Sequence, residues 1–570
     1  MAAASLGEAA PRAGAGAGVL RLPAILVAAV LVLSPLLLVL YQSFLSDPFF
    51  TPTAKPTLEA YQFIFQDPDF WRAFQTTLEV AAGMTVIAVP IGTLLAFIMV
   101  RTDVPGRAWL EPLLLVPIFC SALVLAFGYV VAAGPVGIVS TWVKGLIGFV
   151  PWDVYSLASL IVIAGLIHVP HVYLYTAASL RGLGSDVEEA ARVVGASPLR
   201  VAFAVSLPMV RPAIAFSAVL VFFLGFELFG LPLVLGDPEG RLVLTTYLYK
   251  LTNILGTPSY QLMAVVVVVI GVVAAPLVWL QRRLLRDAGR YVSMRGKGLR
   301  AEPLRLGAWR WPALLLILAW FLVTVVVPIG GITLRSFVVS WGEGVRLLDV
   351  LTLQHYRDLA NYPNVLRGIV NTLGVGVIGG AVSVACYTAL ALALHRWQSG
   401  WTRIVDYLVL LPRAMPGIVA GLAVLWIFLF VKPLAPLRQT MVSVWVAYTV
   451  VWLAYGMRLV QGTLLQVGPE LEEAARTAGA GALRVQRDVT LPLVRNGMVA
   501  AWLLVFLIFV REYSTGVYLL GPGTEVIGSL MVSLWGTGAV DLVSALSVVN
   551  IAMIVVGLAV ALRLGVRPHA

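Results

Sequence analysis

Two polar segments of the chain repeat almost the same pattern of charged and small residues. They read EEAARVVGASPLRVAFAVSLP from 188 and EEAARTAGAGALRVQRDVTLP from 472, and thirteen of the 21 positions are identical. Glutamate and arginine side chains on a short helix suit charged contacts with another protein, and the small alanine pairs permit its close approach. The chemistry that these residues offer is therefore docking rather than catalysis.

Each docking surface would consist of an acidic pair, an alanine pair, a later glycine and a Leu-Pro pair. These residues are Glu188, Glu189, Ala190, Ala191, Gly195, Leu207 and Pro208 in the first copy, and Glu472, Glu473, Ala474, Ala475, Gly479, Leu491 and Pro492 in the second. Ser185 has the capping-box spacing to Glu188, and Pro469 suits a first helical turn, so helices are expected to begin near Asp186 and Glu470. We expect each glycine to interrupt its helix and each Leu-Pro pair to end the segment, which leaves a short bent helix at the membrane surface.

Two further carboxylates fall within long apolar runs. Glu227 lies in the fifth such run, and Glu512, beside Arg511 and Tyr513, is interpreted as its equivalent in the eleventh. Carboxylates at membrane depth are costly and indicate a pathway or a partner, and oxygen ligands suit a hard cation. Glu227, Glu512 and Tyr513 are therefore candidates for a translocation pathway. The alternative is that Glu512 pairs locally and Glu227 only finishes a helix.

Enzymatic motifs are missing from the sequence. It contains no Gly-x4-Gly-Lys-Ser/Thr phosphate loop, so ATP would have to bind to other subunits. The five histidines show no catalytic spacing. His168 and His171 lie three apart in the fourth apolar run, where helix packing or pore lining is favoured over metal binding, and no metal ligands are assigned. Cys120 and Cys386 both fall in apolar runs and are expected to pack rather than to form a disulfide.

The amino-acid composition indicates which kind of secondary structure must position these residues. The mean hydropathy is +0.94 and only 12% of residues are charged, against about a quarter in soluble domains. Apolar runs of roughly 20 residues, enough to cross a bilayer, begin near Leu22, Thr77, Leu110, Leu157, Pro212, Leu262, Pro312, Thr372, Ile404, Met441, Met498 and Leu542. The predicted fold class is an all-α polytopic membrane protein of about twelve transmembrane helices, whose least certain boundaries are near Gly134 and Pro433. The first run is too long for a signal-peptide core and is expected to stay as a helix.

Charge distribution predicts the topology. Nine Lys or Arg residues lie between Arg282 and Arg310, whereas the stretch from Asp47 to Asp69 holds one lysine and four acids. By the positive-inside rule the first stretch is cytoplasmic and the second is outside. Both termini and both polar segments then face the cytoplasm. Topology alone accounts for the basic stretch, so no nucleic-acid partner is predicted.

The two halves of the chain are a duplication. TTLEVAAG at 76 aligns with NTLGVGVI at 371, and an even number of spans separates the two polar segments. The halves are therefore two parallel six-helix repeats related by an axis along the membrane normal. The expected organisation is a disordered tail over 1–20, a first half over 21–286 with its polar segment at 185–212, a basic cytoplasmic linker over 287–311, and a second half over 312–570 with its polar segment at 469–496.

The pattern Glu-Ala-Ala, three residues, Gly, then Leu-Pro resembles the "EAA" cytoplasmic loop of binding-protein-dependent ABC importer permeases. The first copy carries the pattern in full, through Phe203 and Pro212, and the second departs from it at Arg487 and Asn496. The resemblance implies type I ABC importer permease architecture, in which this loop is the coupling helix seated in a groove of the ATPase subunit.

The same resemblance implies partners and a location. Two copies of a cytoplasmic ABC ATPase would bind ATP and Mg, so this chain would be a permease subunit, not an enzyme, and would bind no cofactor itself. A periplasmic or lipid-anchored solute-binding protein would deliver the solute, and the chain would lie in the lipid bilayer of the bacterial cytoplasmic (inner) membrane.

Substrate is indicated by two further stretches. RYVSMRGKGLR at 290 and FELFGLPLVLG at 226, in a single chain with two halves, resemble the ferric-iron permeases, so ferric iron is the expected solute. Thiamine, polyamine, phosphonate and sugar-phosphate importers have related permeases and remain alternatives. A secondary transporter built from parallel repeats would need no coupling loop, and a scaffold without transport would leave the acids in apolar runs unexplained.

Overall fold

The computed structural model describes residues 15–183, 186–253, 259–288, 303–340, 345–395, 405, 408–409 and 416–564. Within these ranges the chain is helical and joined by short turns, and the β pairing described consists of isolated bridges. The helices of the first half are α1 (Ala15–Gln42), α2 (Glu59–Gln66), α3 (Pro68–Arg101), α4 (Arg107–Phe119), α5 (Ala122–Ala133), α6 (Ile138–Ile147), α7 (Leu157–Gly182), α8 (Asp186–Val193), α9 (Pro198–Val201), α10 (Leu207–Met209), α11 (Arg211–Glu227), α12 (Gly230–Leu235), α13 (Leu244–Asn253) and α14 (Tyr260–Ala288).

The second half repeats this order of elements. Its helices are α15 (Arg310–Phe321), α16 (Val327–Ser336), α17 (Gln354–Asn361), α18 (Pro363–Gly374), α19 (Gly380–Leu394), α20 (Gly417–Phe430), α21 (Met441–Val451), α22 (Leu453–Leu464), α23 (Pro469–Thr477), α24 (Ala482–Val485), α25 (Leu491–Arg511), α26 (Ile527–Gly536) and α27 (Val540–Arg563). Single π-helical turns join α9 to α10, α15 to α16, α18 to α19, and α24 to α25.

Most membrane spans match the apolar runs of the sequence, but the run predicted from Leu110 forms the short helix α4, and the span there covers Ala122–Ile147 instead. Among the described residues, nine helices are long and apolar enough to cross a bilayer, and two bent pairs raise this number to eleven. The bent pairs are Ala202–Met209, which is a π-helical turn and α10, with α11, at 61°, and α21 with α22, at 62°. The run predicted from Ile404 falls largely outside the described residues and is followed by the short helix α20. The all-α polytopic class is confirmed, and near the two boundaries least fixed by the sequence α5 ends at Ala133 and α20 ends at Phe430.

Duplication is visible in equivalent contacts of the two halves. The hydroxyls of Ser43 and Tyr61 share a 2.8 Å hydrogen bond that ties the end of α1 to α2. The hydroxyls of Ser336 and Tyr356 share one of the same length between α16 and α17. Because both pairs join the same elements in the same order, the second half repeats the first in structure as well as in sequence.

The first helix of each half packs against the other half. Helix α1 contacts α19 and α20, and α16 contacts α5. The Tyr129 hydroxyl donates a 3.0 Å hydrogen bond to the Val323 carbonyl across this contact. A methyl group added at Gly128 would lie 2.4 Å from the Pro328 carbonyl oxygen, so glycine is needed there for the close approach of α5 and α16. This exchange of first helices interlocks the halves.

Some predicted boundaries shift in the structure. Helix α1 begins at Ala15, inside the segment expected to be a disordered tail, because the small residues there continue the apolar helix; residues 1–14 lie outside the described ranges. Helix α14 continues to Ala288, and most of the predicted linker is likewise outside the described residues. Cys120 is buried as expected, but Cys386 is exposed on the surface of α19, so the packing expected for it is wrong.

Candidate functional site

The two polar segments form short helices at equivalent places. Helix α8 begins at Asp186, and α23 begins with Pro469 in its first turn after Gly468, as the sequence predicts. Ser185, the predicted cap of the first helix, lies outside the described residues. Both helices are followed by a glycine with positive φ, Gly195 at 85° and Gly479 at 88°.

The glycines end the helices rather than interrupt them, which corrects the expected bend. The amide of Ala196 donates to the Ala191 carbonyl at 3.0 Å, and the amide of Ala480 donates to the Ala475 carbonyl at the same distance. This bond, from the residue after a left-handed glycine back to the last helical turn, is the Schellman motif. Nothing lies within 4 Å of a methyl group added at Gly195 or Gly479, so backbone conformation, not space, explains each glycine.

We expect Gly195→Val and Gly479→Val to loosen the ends of α8 and α23. A β-branched residue held at positive φ costs about 1–2 kcal/mol, which corresponds to roughly a tenfold rise in local opening. Amide hydrogen exchange at Ala196 and Ala480 measures this. Gly195→Asn is the matched control, because asparagine tolerates this conformation, and equal exchange in the valine and asparagine variants would contradict the explanation.

The Leu-Pro pairs behave differently in the two copies: the first lies in the last turn before the 61° bend into α11, as expected, whereas the second opens a long helix, which corrects the expectation for that copy. Leu207 and Pro208 continue a helix from a π-helical turn, and Leu491 and Pro492 begin the long helix α25 after another. The Leu207 amide bonds to the carbonyl of Ala202, five residues back. Proline has no amide hydrogen and cannot donate the usual helical hydrogen bond. The wider π-helical turn shifts the hydrogen-bond pattern by one residue just before the proline, so the proline is accommodated within the helix.

Burial separates the two members of each acidic pair. Glu188 is 4% and Glu472 is 2% exposed, whereas Glu189 and Glu473 are exposed. In both helices the first alanine of the pair is exposed and the second is half-buried. Only the second glutamate of each pair is therefore available at the surface for docking. Sequence reasoning grouped both together because neighbouring identical residues carry no sign of which one faces inward.

Glu188 is held by residues from elsewhere in the first half. Its Oε1 lies 3.3 Å from Nε of Arg101, the last residue of α3, and accepts a 2.7 Å hydrogen bond from the Ser206 hydroxyl. Nη2 of Arg101 also donates to the Leu180 carbonyl at 2.9 Å. Sequence reasoning missed Arg101. Its one signal was the position of a basic residue at the end of an apolar run.

Glu472 is held in a related but different way. Its Oε1 lies 2.8 Å from Nε2 of His395, directly after α19, and accepts a 3.4 Å hydrogen bond from the Thr490 hydroxyl. Nη2 of Arg476, one turn along the same helix, lies 3.7 Å from Oε2. The two surface helices are thus both anchored by their first glutamate, although the cation that meets it differs.

The helices that carry the intramembrane acids end at equivalent residues, and this corrects the predicted pairing of Glu227 with Glu512. Helix α11 ends at Glu227 and α25 ends at Arg511. These positions differ by 284, as do Glu188 and Glu472. Arg511 is therefore the equivalent of Glu227, and the equivalent of Glu512 is an apolar leucine. An acid and a base occupy matching places in the two halves.

The segments that follow α11 and α25 contact each other at the boundary between the halves. Phe229 and Tyr513 are equivalent residues, and their ring centroids are 6.1 Å apart. A residue that contacts its own equivalent lies beside the axis that relates the two repeats. Tyr513 is 7% exposed, and Glu227 is half-buried two residues before Phe229. Glu227 and Arg511 therefore lie close to the centre of the molecule. Glu227 is the last residue of α11 and lies about 24 Å along the helix axis from the first residue of that helix.

Glu512 is engaged by its own neighbours. Its Oε1 accepts hydrogen bonds from the Ser514 hydroxyl at 2.9 Å and from the Thr515 amide and hydroxyl at 3.1 Å each. Its Oε2 accepts from the Trp452 indole at 3.2 Å. Trp452 lies between α21 and α22, where the two helices meet at a bend. These contacts match the alternative in which Glu512 pairs locally. They connect the turn after α25 with the bend between α21 and α22.

Arg511 and the histidine pair belong to the same central region. The Arg511 guanidinium donates to the carbonyl of Ile118 in the first half and interacts electrostatically with His168. The rings of His168 and His171 stack at 5.3 Å, and Nδ1 of His168 lies 2.7 Å from the Ala164 carbonyl oxygen. The contacts of His168 with His171 and Ala164 are packing contacts within α7. In the part of the chain that the structure describes, no three His, Cys, Asp or Glu side chains cluster closely enough to hold a metal ion.

Comparison with known proteins matches both halves to one family. The family described as binding-protein-dependent transport system inner membrane component matches residues 88–289 and 388–566. The probable ABC transporter permease protein y4fN of Sinorhizobium fredii is 25% identical over 520 residues, which is 87% of this chain and 89% of that protein. The Fe(3+)-transport system permease protein FbpB 2 of Haemophilus influenzae is 22% identical over 82% of this chain and 84% of its own.

Similarity to two other proteins covers less of the chain. The molybdenum transport system permease protein ModB of Escherichia coli is 28% identical over 28% of this chain and 68% of its own. Among solved structures, a bacterial ABC transporter involved in the import of the acidic polysaccharide alginate matches with 21% identity and a TM-score of 0.39, over 47% of this chain and 93% of that chain.

Proposed function

Because this chain belongs to the family of binding-protein-dependent transport system inner membrane components, we propose that it is an importer permease that passes ferric iron across the bacterial inner membrane. It contains the family's domain twice, in a fused two-half layout. In this proposal α8 and α23 are coupling helices, each docked to one copy of a cytoplasmic ABC ATPase that binds ATP and Mg. A periplasmic or lipid-anchored solute-binding protein delivers the iron from outside.

The observation that carries the proposal is the pair of anchored surface helices. Each half presents one short helix whose first glutamate is buried and whose second glutamate is exposed. A buried anchor holds the helix on the protein, and an exposed acidic and small-residue face is free to meet a partner of complementary charge. Two such helices at equivalent positions fit two copies of one partner subunit.

The share of this chain that each relative matches supports ferric iron as the solute. The ferric permease relative matches over more than four fifths of both chains, whereas the molybdenum permease relative matches over less than a third of this one. A cation pathway is also compatible with Glu227, a carboxylate close to the centre of the molecule. Molybdate remains an alternative because an anion would favour the equivalent Arg511 instead.

Uptake into proteoliposomes tests the proposal. The permease is reconstituted with its ATPase and its binding protein, and radiolabelled ferric iron, molybdate, putrescine, thiamine, a phosphonate and a sugar phosphate are supplied in separate reactions. ATP-dependent uptake of iron alone is expected. Uptake of another solute would retain the importer assignment and overturn iron, and uptake of none, with no ATPase bound to the purified permease, would overturn both.

We expect Glu227→Gln to lower ATP-driven iron uptake about tenfold, with assembly unchanged. The amide keeps the size of the side chain but loses the charge that would contact a cation in passing, and such contacts must stay weak enough for release. Uptake per mole of assembled complex is the measurement. Glu239→Gln changes an exposed acid in the short 3-10 turn Asp237–Glu239 and is the matched control. Equal uptake in the wild type and Glu227→Gln would remove Glu227 from the pathway.

A further inference from the structure

One arginine joins the first surface helix to the ends of two transmembrane helices. Arg101 closes α3, pairs with Glu188 of α8 at 3.3 Å and donates to the carbonyl of Leu180, near the end of α7, at 2.9 Å. Both side chains of the ion pair are less than 10% exposed. The end of α3 therefore meets two elements that are distant from it in the chain, the end of α7 and the helix α8 that follows it, at one buried guanidinium.

The backbone of the same residue holds the segment that leads into the second half. The Arg101 carbonyl accepts a hydrogen bond from the Leu304 amide at 2.8 Å, and the Asp103 amide donates to the Leu304 carbonyl at 3.2 Å. The Leu306 amide donates to the Asp103 carboxylate at 2.8 Å. This segment runs into α15 and α16, which pack on α4 and α5 of the first half. We call the contacts among Arg101, Leu180, Glu188 and Leu304 the Arg101 junction.

The second surface helix is attached by a different cation. Glu472 is met by His395 at 2.8 Å, where the first half uses an arginine. A guanidinium stays charged at any physiological pH and offers several donors in a rigid fork, so it can hold a carboxylate and carbonyls at once. A histidine ring presents one nitrogen to the carboxylate, and Arg476, which also contacts Glu472 at 3.7 Å, belongs to the same surface helix. The guanidinium of the first attachment thus reaches a carboxylate of α8 and a carbonyl of α7 from one side chain.

We propose that Arg101 is a positioning residue that makes the first surface helix move as one body with the ends of α3 and α7 and with the entry to the second half. Movement of the ATPase at α8 would then reach both halves through the Arg101 junction. The inference rests on the proposed function, since it takes the ATPase as the source of movement. A buried ion pair resists separation because parting leaves uncompensated charges inside the protein, whereas an exposed pair opens easily.

Two conservative changes at the junction test this. Arg101→Lys keeps the charge but loses the fork that reaches Glu188 and Leu180 together, and Glu188→Gln keeps the size and the hydrogen bond from Ser206. In both variants the ATPase is expected to bind and to hydrolyse ATP within about twofold of wild type, because the exposed face of α8 is unchanged. The movement passed to the transmembrane helices is expected to fall to less than about half.

Spin labels on the outer side measure that movement without reference to the solute. Cys120 and Cys386 are replaced by alanine, and labels are attached after Val136→Cys and Leu348→Cys, which are exposed positions in a turn of the first half and a 3-10 turn of the second. In the wild-type complex, ATP binding is expected to change the distance between the labels. In Arg101→Lys and in Glu188→Gln this change should shrink, and the double variant should be no worse than either single one, because both remove the same contact.

Arg181→Lys is the matched control. Arg181 pairs with Glu111 at the same end of α7, but that pair is more exposed and does not include α8, so the distance change should stay as in wild type. A merely structural role for Arg101 would show as lost complex, with ATP hydrolysis and distance change reduced in proportion. A full distance change in both junction variants would overturn the inference. A wild-type permease that binds no ATPase would instead overturn the proposed function.

Discussion

Charge reversal of both exposed glutamates, Glu189→Lys with Glu473→Lys, is expected to abolish ATP-driven uptake and leave the membrane fold intact. The two side chains lie on the exposed faces of α8 and α23, so lysine is accommodated there without burying a charge. At the proposed interface it replaces attraction by repulsion, which is costly between docked proteins. Each single variant should weaken ATPase binding about tenfold. The double variant should weaken it by about a hundredfold or more, because two linked contacts reinforce one another.

Three measurements check this result. ATPase binding to the purified permease, uptake in proteoliposomes and the thermal midpoint in detergent are compared for wild type and variants, and only the first two should change. Glu59→Lys is the matched control, since Glu59 is an exposed acid of α2 at the opposite, outer side in the predicted topology. Wild-type ATPase binding in the double variant would remove α8 and α23 from the coupling role.

Removal of the carboxylate in Glu512→Ala is expected to destabilise the protein rather than only to slow transport. The carboxylate accepts hydrogen bonds from Ser514, Thr515 and Trp452, and alanine would remove all of these bonds. Each hydrogen bond contributes about 0.5–1.5 kcal/mol, and these bonds are part-buried, so a total loss of about 1–3 kcal/mol is expected. The turn after α25 and the break between α21 and α22 would both loosen.

Thermal unfolding in detergent and the yield of monodisperse protein measure this loss. Glu512→Gln is the informative comparison, because its amide oxygen can still accept from Ser514 and Thr515 while its NH₂ group faces the Trp452 donor. It should fall between wild type and alanine. If Glu512→Ala had wild-type stability but reduced uptake, Glu512 would return to the pathway, as its position in an apolar run first indicated.

Local signals in the sequence determined the class, the spans and the two surface helices. Apolar runs predict spans because hydrocarbon excludes polar side chains over a fixed thickness, and a glycine-proline start predicts the first turn of α23 because only nearby backbone groups are involved. The duplication follows from the repeated pattern, and the family follows from the motif that appears in both halves. These are properties of neighbouring residues, so the tertiary structure was not needed to find them.

Tertiary structure decided which residue of each pattern faces which surroundings. Glu188 and Glu189 are adjacent and identical, and only the arrival of Arg101 from the end of α3 makes one an anchor and leaves the other at the surface. Such choices depend on contacts between segments that are distant along the chain. A buried charge must find its partner wherever packing brings one, and the spacing of residues along the chain does not record that partner.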